Sequence, residues 1–69
     1  MKFNYSKLLG KIKECGFTHE NLAEKIGIAP STMSAKLNNR NAFTTKEIGA
    51  ICKVLNIPKK DVGLYFFAE

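Results

Sequence analysis

The stretch Phe17–Asn39, FTHENLAEKIGIAPSTMSAKLNN, holds two short helical patterns with Gly27, Ile28 and Ala29 between them. Thr18 is suited to cap the first, its hydroxyl accepting a backbone N–H of the opening turn, and Leu22, Ala23 and Ile26 then share one face. Gly27 closes that pattern, because a residue without Cβ takes positive φ at no steric cost and lets the chain turn sharply. Pro30 opens the second pattern with a φ already set for a first helical turn, and Met33 and Leu37 follow on its inner side. The rest of the chain reads as support for this pair.

Working outward, Tyr5, Leu8, Leu9 and Ile12 fall at i, i+3, i+4 and i+7, one face of an amphipathic helix. Asn4 can cap it, Phe3 can close over Leu8 as a hydrophobic staple, and Gly16 ends it. Lys7, Lys11 and Lys13 lie on the opposite side. The same starting device recurs at Phe17-Thr18 with Leu22 and at Phe43-Thr44 with Ile48, and at Thr44 a Glu47 at N3 completes a capping box. Ile48, Ile51, Cys52 and Leu55 form the apolar face of a helix ending near Asn56. After Pro58 the pattern mixes strand and helix periods, which predicts a short helix followed by an extended end. The expected fold is all-α, one compact domain of four to five helices over residues 1–69, with the central helix pair at about 18–38.

A chain of 69 residues buries only about 60% of its unfolded surface, so its stability should be marginal. The net charge of +5, from eleven Lys and Arg against six Asp and Glu, fits either general solubility or attraction to a polyanion. Met1-Lys2 leads into Phe3, Asn4 and Tyr5 rather than an apolar run, and no stretch approaches the roughly 20 residues that span a bilayer. Cytoplasmic placement without a membrane partner is expected. Cys15 and Cys52 have neither metal-site spacing nor disulfide-scaffold density and read as small core or boundary hydrophobes. One histidine and no phosphate loop, metal-ligand pair or nucleophile setting predict no enzyme, no metal, no cofactor and no small-molecule substrate.

At 100° per residue the second helix turns Pro30, Met33 and Leu37 inward and Ser31, Thr32, Ala35, Lys36 and Asn39 outward. Such a small, polar face with one cation suits the DNA major groove, where Ser and Thr bond to base edges and an Ala methyl meets a thymine methyl. The loop Asn38, Asn39, Arg40 and Asn41 adds donors for phosphate. A merely solvated outer face is the plain alternative.

With its cap, Leu22-Ala23 pair, apolar residue before Gly27, Ser31-Thr32 pair and closing Asn38, the stretch resembles the helix-turn-helix of the phage repressor and Cro (XRE-like) family. Phe43–Phe67 is similar to that family's later helices. The resemblance implies base reading by Ser31, Thr32 and Ala35, with Lys36 free to join them, and a phosphate contact by His19, where Gln is usual. Asn38 falls at the family's phosphate-contacting Asn, and Thr18, Asn39, Arg40 and Asn41 complete the expected backbone-contacting set. It further implies a Cro-like or short-repressor transcriptional regulator that occupies a double-stranded operator as a homodimer, at least on DNA.

Two departures from the family pattern matter. Where members bury an Arg–Glu pair, this chain has Ile12 and Leu37, which are expected to meet in the core, and Lys36 stands where an apolar residue is usual. The cluster Leu64, Tyr65, Phe66 and Phe67 fits core closure or a dimer contact. The alternative function is a protein-interaction module, antirepressor or antitoxin-like, on the same fold. That reading calls for an apolar patch on the outer face in place of a positive one.

Overall fold

The computed structural model describes residues 3–68, and these form five α-helices and one 3-10 turn with no strand among them. They are α1 (Ser6–Glu14), α2 (His19–Ile26), α3 (Pro30–Leu37), α4 (Thr45–Leu55), the 3-10 turn Lys59–Asp61 and α5 (Val62–Phe66). The all-α expectation holds, and the element boundaries follow the punctuation in the sequence.

Several helix starts and stops have an identifiable cause. Thr18 and Thr44 lie in extended conformation and accept the backbone N–H of Asn21 and Glu47, both at 3.1 Å. Glu47 returns the bond to the Thr44 N–H at 2.8 Å, so the capping box is complete and two otherwise orphaned donors are satisfied. Asn4 takes part at the start of α1 by accepting from the Ser6 backbone at 2.9 Å. Gly16 and Gly27 end α1 and α2 at φ 81 and 80, a left-handed conformation that any Cβ would strain. Asn56 does the same for α4 at φ 60, and Asn is the non-glycine residue that tolerates it best.

The core gathers Tyr5, Leu8 and Ile12 of the N-terminal segment, Leu22 and Ala23 of α2, Met33 and Leu37 of α3, Ile51 and Leu55 of α4, Ile57, and Phe66 of α5. Ile12 and Leu37 are thus both core residues, as the apolar replacement of an ion pair requires. Helix α2 packs on α3 and on α4, while α1 packs on α5. A run of aromatic rings seals the α1–α5 end: Phe67 to Phe3 and Tyr5 to Phe43 to Phe66 each meet edge-on at 5.6 Å between centroids. Edge-to-face geometry sets the positive ring edge against the negative face of its neighbour.

Four readings of core and termini need correction. Leu9 shares the predicted face of Tyr5, Leu8 and Ile12 yet is 38% exposed, because the helices packed on α1 cover only part of that stripe. Pro30, expected inward, is exposed at the first turn of α3, beyond the reach of the core, and Cys15 is exposed rather than a boundary hydrophobe. The end of the chain is only partly extended: α5 reaches Phe66, and Ala68 accepts a bond from the Asn4 N–H at 2.6 Å. The aromatic cluster divides accordingly, with Phe66 buried and Leu64 and Phe67 exposed.

Candidate functional site

The α2–turn–α3 pair is present as expected, with the Ile28 N–H bonding back to Ala23 across the Gly27 turn at 2.9 Å. The residues expected to contact DNA lie in different settings. Ser31 is exposed, whereas Thr32 and Ala35 are half-buried. His19, Arg40 and Asn41 are exposed and have no side-chain hydrogen bond to another described residue. The Thr18 hydroxyl is engaged as the α2 cap.

Lys36 departs furthest from its expected place. It is the buried charged residue of the fold, 7% exposed, and its ammonium donates to Glu47 Oε1 and, at 3.2 Å, to the Ala42 carbonyl. The physical reason is the neighbouring helix start. Glu47 is held in the first turn of α4 by the capping box, and a lysine one step round α3 from Met33 and Leu37 reaches that carboxylate without leaving the core edge. Burial pushes the Glu47 carboxyl upward, but the Lys36 hydrogen bond, the Thr44 backbone bond and the Lys36 charge outweigh it and hold the group below its ordinary value. Lys36 therefore joins α3 to α4 instead of pointing outward.

Two of the asparagines are likewise occupied. Asn38 folds back on its own helix and donates to the Ser34 carbonyl at 2.9 Å. Asn39 sits at φ 62 and clamps the backbone of Phe3, accepting its N–H and donating to its carbonyl, both at 2.9 Å. Through this clamp the loop after α3 fixes the N-terminal segment against the domain. Sequence reading had no signal for it, since the two partners are 36 positions apart.

What remains on the outer side of α3 is small and uncharged: Ser31, Thr32, Ser34, Ala35 and Asn38, with Arg40 beyond the helix end. Phosphate binding draws most of its affinity from cations, and this face supplies none from within the helix. A different surface feature lies at the corner of α1 and α2, where Leu9, Ile12, Lys13, Phe17, Thr18 and His19 line an open cleft of about 470 Å³. The sequence hint was an apolar face on α1 wider than a core needs.

The family model described as "Protein of unknown function (DUF739)" matches residues 1–69. The chain belongs to that family. No curated protein matches it. Among solved structures it is similar to the solution structure of the modulator of repression (MOR) of the temperate bacteriophage TP901-1 from Lactococcus lactis. The two share 39% identity and a TM-score of 0.82 over 97% of this chain and 90% of the other. This likeness overturns the expected Cro-like operator binder. It favours the alternative, an interaction module on the same helical fold, and the internal use of Lys36, Asn38 and Asn39 agrees with it.

Proposed function

We propose that this chain controls phage-type transcription by binding a repressor protein and altering that repressor's hold on its operator. The observation that carries the reading is the likeness to a modulator of repression at 39% identity over nearly the whole chain. The geometry supports it from the other side. A direct operator binder needs cations beside its reading helix, and here the one lysine of α3 is buried against Glu47. A face of short uncharged side chains, with Thr32 and Ala35 already half-buried, is compatible with packing against protein, where few charges need desolvation.

The test is a gel-shift titration on operator DNA with the TP901-1 repressor as the probe protein. The chain alone should leave the DNA unshifted at concentrations where the repressor binds fully, and adding it to the repressor should change the repressor's operator occupancy. A sequence-specific shift by the chain alone, or no effect on the repressor in either assay or direct binding, would overturn the reading.

A further inference from the structure

Phe3 and Asn4 lie ahead of α1 and outside any helix, so their backbone groups find partners elsewhere. Both bonds of Phe3 go to one side chain, its N–H to Asn39 Oδ1 and its carbonyl to Asn39 Nδ2, each at 2.9 Å. The Asn4 N–H goes to the far end of the chain, to the Ala68 carbonyl at 2.6 Å. The rings then fall into two tiers. Tyr5 and Phe66 are buried, and both meet Phe43 edge-on at 5.6 Å. Phe3 is half-buried and Phe67 is 50% exposed, and these two meet edge-on at 5.6 Å, with Phe3 leaning on Tyr5 at 6.4 Å.

We propose that Phe3, Asn4, Phe67 and Ala68 form a strap that opens as one unit while the helices stay folded, with Asn39 as its latch. The outer tier is held by three hydrogen bonds of modest net worth and one pair of partly exposed rings. The inner tier belongs to the core. Local opening runs through segments that bury little, so the chain gives way at the strap before it gives way at the helices. Tyr5 and Phe66, each packed on Phe43, mark where the opening stops. The two ends move together because Phe3 and Asn4 are adjacent, and displacing Phe3 from Asn39 pulls on the bond from Asn4 to Ala68.

The device controls the end of α3. While the strap is closed, the donor and the acceptor of the Asn39 carboxamide are both engaged on Phe3, and the small cavity of about 110 Å³ between strap and loop has Phe3 and Tyr5 on one side and Asn39–Ala42 on the other. Opening returns one donor and one acceptor to solvent beside the exposed Arg40 and Asn41. Any ligand that needs Asn39 competes with Phe3 for it, and its apparent affinity is reduced by the fraction of chains that are closed.

The experiment is residue-by-residue amide hydrogen exchange on the full chain, in water and in low urea. The Phe3 and Asn4 amides of wild type should share one protection factor within about twofold, at least tenfold below those of Ile51 and Leu55 in α4. They should hardly respond to urea that speeds exchange at Ile51, since the urea slope follows the surface exposed on opening. Asn39→Gly keeps the left-handed backbone at ease and removes both bonds, and it should lower protection at Asn4 as well as at Phe3, by a common factor of about five or more. Phe67→Ala removes the ring edge from Phe3 and should lower both amides from the opposite end. Asn38→Ala is the control, because its bond to the Ser34 carbonyl stays intact in the opened chain; both strap amides should stay within about twofold of wild type even if the core amides lose protection. Phe3 and Asn4 protected as strongly as Ile51, with the same urea response, would mean that the strap opens only with the whole fold and would overturn the proposal. Free-peptide exchange at Phe3 in wild type would show that the strap is never closed. Loss at Phe3 alone in Asn39→Gly would make the two ends independent, and equal loss in Asn38→Ala would deny Asn39 its role as latch. The wild-type urea series decides even if a variant does not fold.

Discussion

The end of α3 and the corner between α1 and α2 both carry amine or amide groups beside apolar ones, yet the fold uses them in opposite ways. At the end of α3, Lys36, Asn38 and Asn39 all find partners inside the protein, on Glu47 and Ala42, on Ser34 and on Phe3. At the α1–α2 corner, Leu9, Lys13 and His19 have exposure and no side-chain bond to another described residue. A polar residue on an outward helix position is thus not a free recognition group until its internal alternatives are counted. The first region is tied into the fold, and the second faces solvent.

That contrast breaks most visibly at Glu47. Truncation by Glu47→Ala leaves the Lys36 ammonium buried without its counter-charge and removes half of the α4 capping box, so stability should fall by about 3 kcal/mol or more. For a domain this small each kcal/mol moves the melting temperature by about 4–8 °C, and a thermal melt will read it directly. Lys36→Met should cost much less, because the methionine can fill the same apolar groove and the cap survives. Equal losses from the two variants would mean that the Glu47 carboxylate left without Lys36 costs as much as the ammonium left without Glu47.

The same pair sets an acid limit. Glu47 is held below its ordinary value of 4.5 in the folded chain and regains that value on unfolding. Its contribution is therefore fully present above the unfolded value and is lost as pH falls through the folded one. Melting temperature should drop on acidification below about pH 4.5, and Glu47→Gln should flatten that part of the profile. A wild-type profile unchanged by the substitution would assign the acid sensitivity to other carboxylates.

The next effect in size tests the Asn39 clamp. Asn39→Ala removes both bonds to Phe3 and also places a residue with a Cβ but no hydrogen-bonding side chain at φ 62, so about 2 kcal/mol should be lost in urea denaturation. Asn39→Gly keeps the backbone conformation at ease and loses only the bonds, which should cost about 1 kcal/mol. If the two variants are equally stable, backbone strain plays no part and the bonds carry the whole effect.

These comparisons also mark what could be read from the sequence. Thr18, Gly27, Thr44, Glu47 and Asn56 announced their helix ends because capping and left-handed turns are local chemistry within a few residues. The burial of Met33 and Leu37 was legible from periodicity. The direction of Lys36 was not, since a lysine at a helix flank can extend either way and only the tertiary position of Glu47 decides it. Asn39 was opaque for the same reason, its partner being Phe3 at the far end of the chain. The expected operator binding was overturned by the likeness to a modulator of repression, and Lys36 and Asn39 are the two expected DNA contacts whose internal partners the sequence could not show.

Leu8 and Leu9 give the most local form of the comparison, because adjacent leucines on one helix carry opposite roles. Leu8 is fully buried, and Leu8→Ala should lose about 2–5 kcal/mol through lost transfer energy and the cavity left behind. Leu9 keeps 38% of its surface in water and borders an open cleft, so Leu9→Ala leaves no enclosed void and should cost at most about 1 kcal/mol. Alanine is also the better helix former, which offsets part of even that loss. Denaturation of the two variants side by side will separate a core position from a surface one. A Leu9→Ala loss matching that of Leu8→Ala would show that the cleft closes in solution and that Leu9 belongs to the core after all. A small loss would leave Leu9 as a surface position of α1, with its side chain free to move in water.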